Sequence, residues 1–267
     1  MKKILYDINL LYYISIMWFE IINATCWIIS FICFYLILYP NINRPKNVHI
    51  SPFKKNLHKT ERKFNVIGIL QNYPQDKLIQ ISKSFTNNFD IMIFNFNGSL
   101  NVGNIMRLGC LYGVNNYYIV GRKIYDSRSC VGSHKYINVQ IIKNIVTELP
   151  DKSCVPKIDK EALKQFFIKN NLAPIFVEQG GEDITTFKFT KFKLYNKTPV
   201  FIFGNETYGI DNDVLNTCKD IEGFTIISIP QLGILRSLNV SNSASIILWE
   251  YYKQSLMNDD TRYKLDL

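Results

Sequence analysis

The sequence predicts an α/β protein whose sheet is mostly parallel and flanked by helices. Apolar runs of four to six residues, suited to buried strands, alternate along the chain with longer segments of helical periodicity. This alternation is typical of βαβ units, in which consecutive strands run parallel and the helices cover the faces of the sheet. A hydrophobic fraction of 47% with only 20% charged residues indicates a folded chain and excludes an intrinsically disordered one.

The predicted elements follow in chain order. An edge element comes first, with a strand at 64–70 and a short amphipathic helix at 76–89. Predicted strands then lie at 91–94, 117–120, 173–177, 199–203 and 226–229. Predicted helices lie at 102–112, 160–170 and 211–218, and a last one begins near Val240. We expect the pair Gly180 and Gly181 to break the chain, and residues 187–195 to form a surface segment.

The first 63 residues do not belong to the predicted fold. Residues 1–40 are largely apolar, and 21–39 are uncharged and close to the roughly 20 residues that cross a membrane as a helix. Residues 41–63 form a basic linker. We favour a cleaved leader for import into a plastid-type organelle. Two alternatives are a membrane anchor, which contacts the membrane through residues 8–39 and leaves a cytoplasmic domain, and an extension of little consequence.

The remaining chain divides into an N-terminal edge element at 64–88 and a main domain at 89–267. The formal net charge of +9 favours a polyanionic partner, with nucleic acid ahead of an anionic membrane surface, although a compositional bias toward lysine would produce the same surplus. Six cysteines form no C-x-x-C pair and are accompanied by three histidines. We therefore expect no metal site and no structural disulfide, but buried thiols in a reducing compartment.

Three polar stretches follow predicted strands. Motif one is NGSLNVGNIMRLGCLYG at 97–113, motif two is VFIFGNETYG at 200–209, and motif three is IPQLGILRSLNVS at 229–241. The polar part of motif two lies just past the carboxyl end of an apolar strand, where open α/β sheets bind ligands. Motif three joins a strand to a helix, with Ser241 or Asn239 as the N-cap, and such a junction holds polar or anionic ligands. An ordinary βα connection is the alternative.

In this order, the three motifs resemble the signatures of the SpoU (TrmH-like) RNA ribose 2′-O-methyltransferases of the SPOUT superfamily. The resemblance covers about two thirds of the chain, from near Asp90 to near Leu256. It implies a C-terminal trefoil knot, S-adenosylmethionine as the methyl donor, an RNA substrate, and a homodimer whose active site borrows the partner chain. Motif three is most similar to eukaryotic tRNA ribose methyltransferases, which favours tRNA over ribosomal RNA.

The resemblance also implies roles for individual residues. The implied catalytic residues are Arg107, Asn101, Glu206, Ser237 and Asn239. The implied cofactor contacts are Phe203, Gly204, Ile229, Gln231 and Leu238, with Gln231 standing where many bacterial members have methionine. A guanidinium grips phosphate in bidentate fashion and stays charged in proteins, so we expect Arg107 to orient and polarise the ribose hydroxyl and its neighbouring phosphate.

The loop at 121–135 carries the basic residues that we expect to meet RNA phosphates. These are Arg122, Lys123, Arg128 and Lys135. A merely solvated loop is the alternative. Three other functions compete with methyl transfer: a non-catalytic RNA-binding or ribosome-assembly factor on the same fold, a membrane-anchored docking module, and a Rossmann enzyme. The last is disfavoured because no G-x-G-x-x-G follows a predicted strand.

Overall fold

The computed structural model describes residues 64–96, 100–122, 125–148 and 157–257. The predicted leader or anchor at 1–40 and the basic linker at 41–63 lie outside these residues. Within the described part of the chain, no helix has both the length and the apolar character that crossing a membrane requires.

Six parallel strands form the central sheet. They are β1 (Asp90–Asn95), β2 (Asn116–Gly121), β3 (Asn138–Ile142), β6 (Leu172–Asp183), β7 (Thr198–Phe203) and β8 (Thr225–Ser228). The order across the sheet is β3-β2-β1-β7-β6-β8, and every neighbouring pair is parallel. A separate antiparallel pair consists of β4 (Val146–Glu148) and β5 (Lys157–Ile158). The predicted parallel α/β class is confirmed; the trefoil knot stays a prediction.

Helices cover both faces of the sheet. They are α1 (Gln75–Ser84), α2 (Leu100–Tyr112), α3 (Ser127–Cys130), α4 (Lys160–Lys169), α5 (Asn212–Cys218) and α6 (Val240–Met257). Successive strand residues point to opposite faces, so Ile91 and Ile93 pack with α2 and α6, whereas Met92 and Phe94 pack with α4 and α5. Aspartate side chains cap the N-termini of α3, α4 and α5, namely Asp126, Asp159 and Asp211.

The strand predicted at 64–70 is wrong. Only a 3-10 turn, Gly68–Leu70, forms there. The side-chain amide of Gln71 donates to the carbonyl oxygens of Phe64 and Val66, at 2.8 and 2.7 Å. A side chain therefore satisfies backbone groups that a neighbouring strand would otherwise bind.

The predicted chain break at Gly180 and Gly181 is also wrong, because β6 continues to Asp183. The strand absorbs the two glycines in a bulge, with Val177 and Glu182 both opposite Ile227 of β8. Gly180 has a φ of +79°, which glycine adopts without strain. The bulge lets an apolar strand be followed by polar residues without leaving the sheet.

The segment at 187–195 reaches the surface with only part of its side chains: Lys188, Thr190 and Leu194 are exposed, but its phenylalanines are not. Phe187, Phe189 and Phe192 are buried, and Phe189–Tyr195 is a 3-10 helix. The ring centroids of Phe187 and Phe189 lie 4.8 Å apart, and Phe189 contacts Phe201 of β7 edge-on. This aromatic cluster supplies core packing that sequence alternation alone does not reveal.

A buried carboxylate, Asp90, begins β1 at the amino-terminal edge of the sheet. Its oxygens accept hydrogen bonds from the backbone and side-chain amides of Asn116 and from the Tyr118 hydroxyl, at 3.0–3.1 Å. Burial raises the pKa of Asp90 above its ordinary value of 3.8, and the hydrogen bonds from Asn116 and Tyr118 oppose part of that rise.

Asp90 should make the protein less stable as the pH rises. The folded state holds its proton more tightly than the unfolded state, so the free energy of unfolding should fall from pH 3.8 upward until the raised pKa is passed. Asp90→Asn removes the titrating group and should remove this component. Urea denaturation at several pH values measures both profiles, and profiles that stay parallel across this interval would contradict the assignment.

Candidate active site at the carboxyl edge of the sheet

All three motifs lie at one edge of the sheet. Motif one follows β1, motif two spans β7 and the turn after it, and motif three follows β8. Ile93 pairs with Phe203, and Val177 at the end of the regular part of β6 pairs with both Phe203 and Ile227. Because the strands are parallel, their carboxyl ends and the loops that follow them meet where α/β proteins bind ligands.

A hydrogen bond joins motif one to motif two. The side-chain amide of Asn101, in the first turn of α2, donates to the Oε1 atom of Glu206. Glu206 lies in the turn that follows β7. The two implied catalytic residues are thus brought together, and their contact fixes the start of α2 against motif two.

Helix α2 presents Arg107 to solvent. Arg107 is exposed, and it shares a stripe of the helix with Leu100, Asn104 and Leu111, which are exposed as well. Residues three and four apart in a helix are neighbours, so Asn104 lies beside Arg107. The guanidinium is therefore free of the core and available to a substrate.

Two close contacts hold α2 in place. The buried hydroxyl of Tyr117 donates to the Val102 carbonyl oxygen at 2.9 Å. On the other side, Gly103 packs against α3 so tightly that an added Cβ would lie 1.9 Å from Ser129 Oγ and 2.9 Å from the Asp126 carbonyl oxygen. These contacts give Arg107 a rigid support.

The motif-two turn is a tight, self-bonded loop. Asn205 and Gly209 exchange backbone hydrogen bonds of 3.3 and 2.7 Å, and the Asn205 side chain accepts from the Thr207 amide at 3.0 Å. Gly204 permits this closure, because a Cβ there would lie 2.7 Å from the carbonyl carbon of Gly209. Phe203 is buried in the core, which leaves its backbone as the part available to a cofactor.

Motif three forms an exposed loop between β8 and α6. Residues 231–238, which include Gln231, Ser237 and Leu238, are all exposed, whereas Ile229 is half-buried and packs against the core. In the described part of the chain, the backbone N–H groups of 231–238 donate no hydrogen bond to the protein. Free amides beside exposed apolar side chains fit S-adenosylmethionine, which combines polar groups with an apolar ring.

Asn239 has a structural task in addition to its implied place at the site. Its side-chain oxygen accepts from the Ser241 backbone amide at 2.9 Å, from the Ser241 hydroxyl at 2.7 Å and from the Asn242 amide at 3.4 Å. Asn239 is therefore the N-cap of α6, which decides between the two N-caps that the sequence offers. Capping fixes the end of the motif-three loop.

The four basic residues that we expect to meet RNA phosphates have different surroundings. The backbone of Arg122 binds Asn95 at the end of β1 through two hydrogen bonds of 2.8 Å, which puts Arg122 at the same edge as the motifs. Arg128 makes a bidentate ion pair with Asp126, and its hydrogen bonds lower the pKa of that carboxyl to about 2. Lys135 is exposed, and Lys123 lies outside the described residues.

Two polar residues that the motifs do not include also contact the site. Glu178 and Gln179 follow the regular part of β6, between the turn of motif two and the loop of motif three. The rule applied to motif two, that polar residues just past the carboxyl end of an apolar strand face ligands, would have found them.

No group of three or more histidine, cysteine, aspartate or glutamate side chains comes together within the described residues to hold a metal ion. Cys110, Cys130 and Cys218 are free thiols, and Cys130 and Cys218 are buried as small apolar residues.

Comparison with known proteins finds relatives that are named as tRNA methyltransferases. A tRNA (cytidine(34)-2′-O)-methyltransferase of Methylovorus glucosotrophus is 25% identical over 171 residues, which cover 62% of this chain and 95% of that protein. The mouse tRNA (guanosine(18)-2′-O)-methyltransferase TARBP1 is 33% identical over 85 residues, 31% of this chain but only 5% of the mouse protein.

A solved structure shares the fold. The A. aeolicus TrmH/SpoU tRNA modifying enzyme superposes with a TM-score of 0.52 at 19% identity, covering 69% of this chain and 83% of that one. The SpoU rRNA Methylase family matches residues 88–249, a range that contains all three motifs. This chain therefore belongs to the SpoU methylase family, whose members transfer a methyl group from S-adenosylmethionine to RNA.

Proposed function

We propose that this protein methylates the 2′-oxygen of a ribose in tRNA. The observation that carries the proposal is the bond from Asn101 to Glu206, which joins the helix of Arg107 to the motif-two turn. The names of relatives support tRNA over ribosomal RNA, since both the bacterial and the mouse relative are named as tRNA 2′-O-methyltransferases.

Each part of the edge has a task in this reaction. When bound, S-adenosylmethionine supplies a methyl group on a sulfonium centre. The turn at Gly204 and the loop at 231–238 hold the cofactor through backbone groups. Arg107 binds a phosphate of the RNA and orients the neighbouring ribose hydroxyl toward that methyl group. Alignment of well-oriented reacting groups can lower the activation barrier by about 7 kcal/mol or more.

A tritium-transfer assay tests the proposal. The full-length chain is incubated with labelled S-adenosylmethionine and either total tRNA or ribosomal RNA, and the labelled nucleosides are then identified. We expect label in a ribose of tRNA. Label in ribosomal RNA alone would overturn the choice of substrate, and cofactor binding without transfer to either RNA would favour the non-catalytic RNA-binding factor.

We further propose that the protein works as a homodimer. The exposed stripe on α2 carries Leu100 and Leu111, and the adjacent face of α6 carries Ile246 and Trp249, each at least 41% exposed. The two helices pack together, with the rings of Tyr112 and Tyr252 5.2 Å apart. Large apolar side chains grouped in this way usually mark an interface, and a second copy would cover them next to Arg107.

Trp249→Glu should convert the dimer to a monomer. A charge at the centre of an apolar interface costs several kcal/mol. Because each loss of about 1.4 kcal/mol raises the dissociation constant tenfold, a micromolar dimer would dissociate. Light scattering coupled to size exclusion measures the mass directly. Ile168→Glu is the matched control, because Ile168 is 52% exposed and lies on α4, which packs on the opposite face of the sheet from α2 and α6. A monomeric parent protein would refute the proposal.

A further inference from the structure

The bulge in β6 projects two polar side chains from the carboxyl edge. Strand β6 lies between β7 and β8, so its end separates motif two from motif three. Residues 178–181 leave the regular pairing of β6 with β8 after Val177. Gly181 returns so close to β8 that an added Cβ would lie 2.5 Å from the Ile226 carbonyl oxygen. The tight return directs Glu178 and Gln179 into the gap between the two motifs.

Glu178 holds the exit of the motif-two turn. Its Oε2 atom accepts a hydrogen bond from the Ile210 amide at 3.3 Å, and its Oε1 atom accepts from the Gln179 amide at 3.0 Å. The same Oε2 atom would lie 3.2 Å from a Cβ on Gly209. Ile210 is itself buried, so the carboxylate ties the turn to β6 at the point where the chain re-enters the core.

Gln179 holds the motif-three loop. Its side-chain amide donates to the carbonyl oxygen of Arg236, the residue before Ser237. Since the N–H groups of 231–238 have no partner in the described part of the chain, this bond is an anchor for an otherwise free segment. Consecutive residues of one strand thus bind the two loops on either side.

We propose that Glu178 and Gln179 are positioning residues that set the separation of the two cofactor-binding loops. This inference rests on the proposed function, in which the turn at Gly204 and the loop at 231–238 enclose S-adenosylmethionine. Without the hydrogen bond from Gln179, the motif-three loop is no longer fixed to β6. The cofactor must then order this loop when it binds, at a cost in conformational entropy. The cost should appear in cofactor affinity more than in the turnover of the bound complex.

Isothermal titration with S-adenosylhomocysteine tests the inference on the full-length chain. Gln179→Leu should raise the Kd about tenfold, the size expected from one lost hydrogen bond in a binding loop. Glu178→Gln keeps an oxygen that can accept from Ile210 and should change the Kd less than Glu178→Leu. Gln75→Leu, an exposed glutamine on α1, is the control and should bind like the parent. Where tRNA is methylated, KM for S-adenosylmethionine should rise while kcat changes little.

The outcomes separate this inference from the proposed function. Weaker binding of S-adenosylhomocysteine by Gln179→Leu at an unchanged melting temperature supports the positioning role. If no RNA is methylated in that case, only the proposed function fails. A Kd equal to that of the parent would overturn the positioning role even if tRNA is methylated. A loss of binding that merely accompanies unfolding, or a parent chain that does not bind S-adenosylhomocysteine, would overturn it as well.

Discussion

Arg107→Ala should slow methyl transfer at least about a hundredfold, as expected when a charged group that contacts the reacting centre is removed. Arg107 is the one basic residue of α2, and alanine can neither bind phosphate nor orient the ribose hydroxyl. Arg107 is exposed and mid-helix, so stability should change by less than about 0.5 kcal/mol. Initial rates with saturating RNA, together with the Kd for S-adenosylhomocysteine, measure the effect; the Kd should not change.

Two further variants sharpen the role of Arg107. Arg107→Lys keeps the charge but loses the planar fork, so it should recover only part of the activity. Lys77→Ala removes an exposed cation from α1, remote from the motifs in sequence, and should leave the rate unchanged. Near-normal transfer by Arg107→Ala would show that the family role does not apply to this residue.

Gly204→Ala should weaken cofactor binding and destabilise the fold. The new Cβ would lie 2.7 Å from the Gly209 carbonyl carbon and 2.9 Å from both the Gly209 oxygen and Ile210 Cγ1. Backbone atoms cannot move aside as a flexible side chain can, so the turn must open. We expect a loss of roughly 1–3 kcal/mol of stability from such overpacking, and cofactor affinity reduced more than tenfold.

Thermal unfolding and titration with S-adenosylhomocysteine measure both consequences of Gly204→Ala. The matched control is Gly68→Ala, since a Cβ on Gly68 meets no atom within 4 Å. That variant should bind and unfold like the parent. If Gly204→Ala binds normally, the motif-two turn does not hold the cofactor, and the assignment of Gly204 fails.

The sequence alone determined the class of fold and the identity of the motifs. Strands such as 91–94 and 199–203 are uniformly apolar because a parallel sheet is buried on both faces, so they were visible without coordinates. Motif order was enough to indicate the SpoU family, because each motif is a contiguous stretch that can be recognised without knowing which segments pack together.

The tertiary structure decided what depends on contacts between distant segments. The phenylalanines at 187–192 read as a surface pattern, yet they are buried because β7 and α6 supply apolar neighbours from elsewhere in the chain. The glycines at 180 and 181 read as a break, yet the pairing of β6 with β8 carries the strand across them. Likewise, only the sheet order places Glu178 and Gln179 between the two loops, since β7 and β8 follow β6 in sequence but flank it in space.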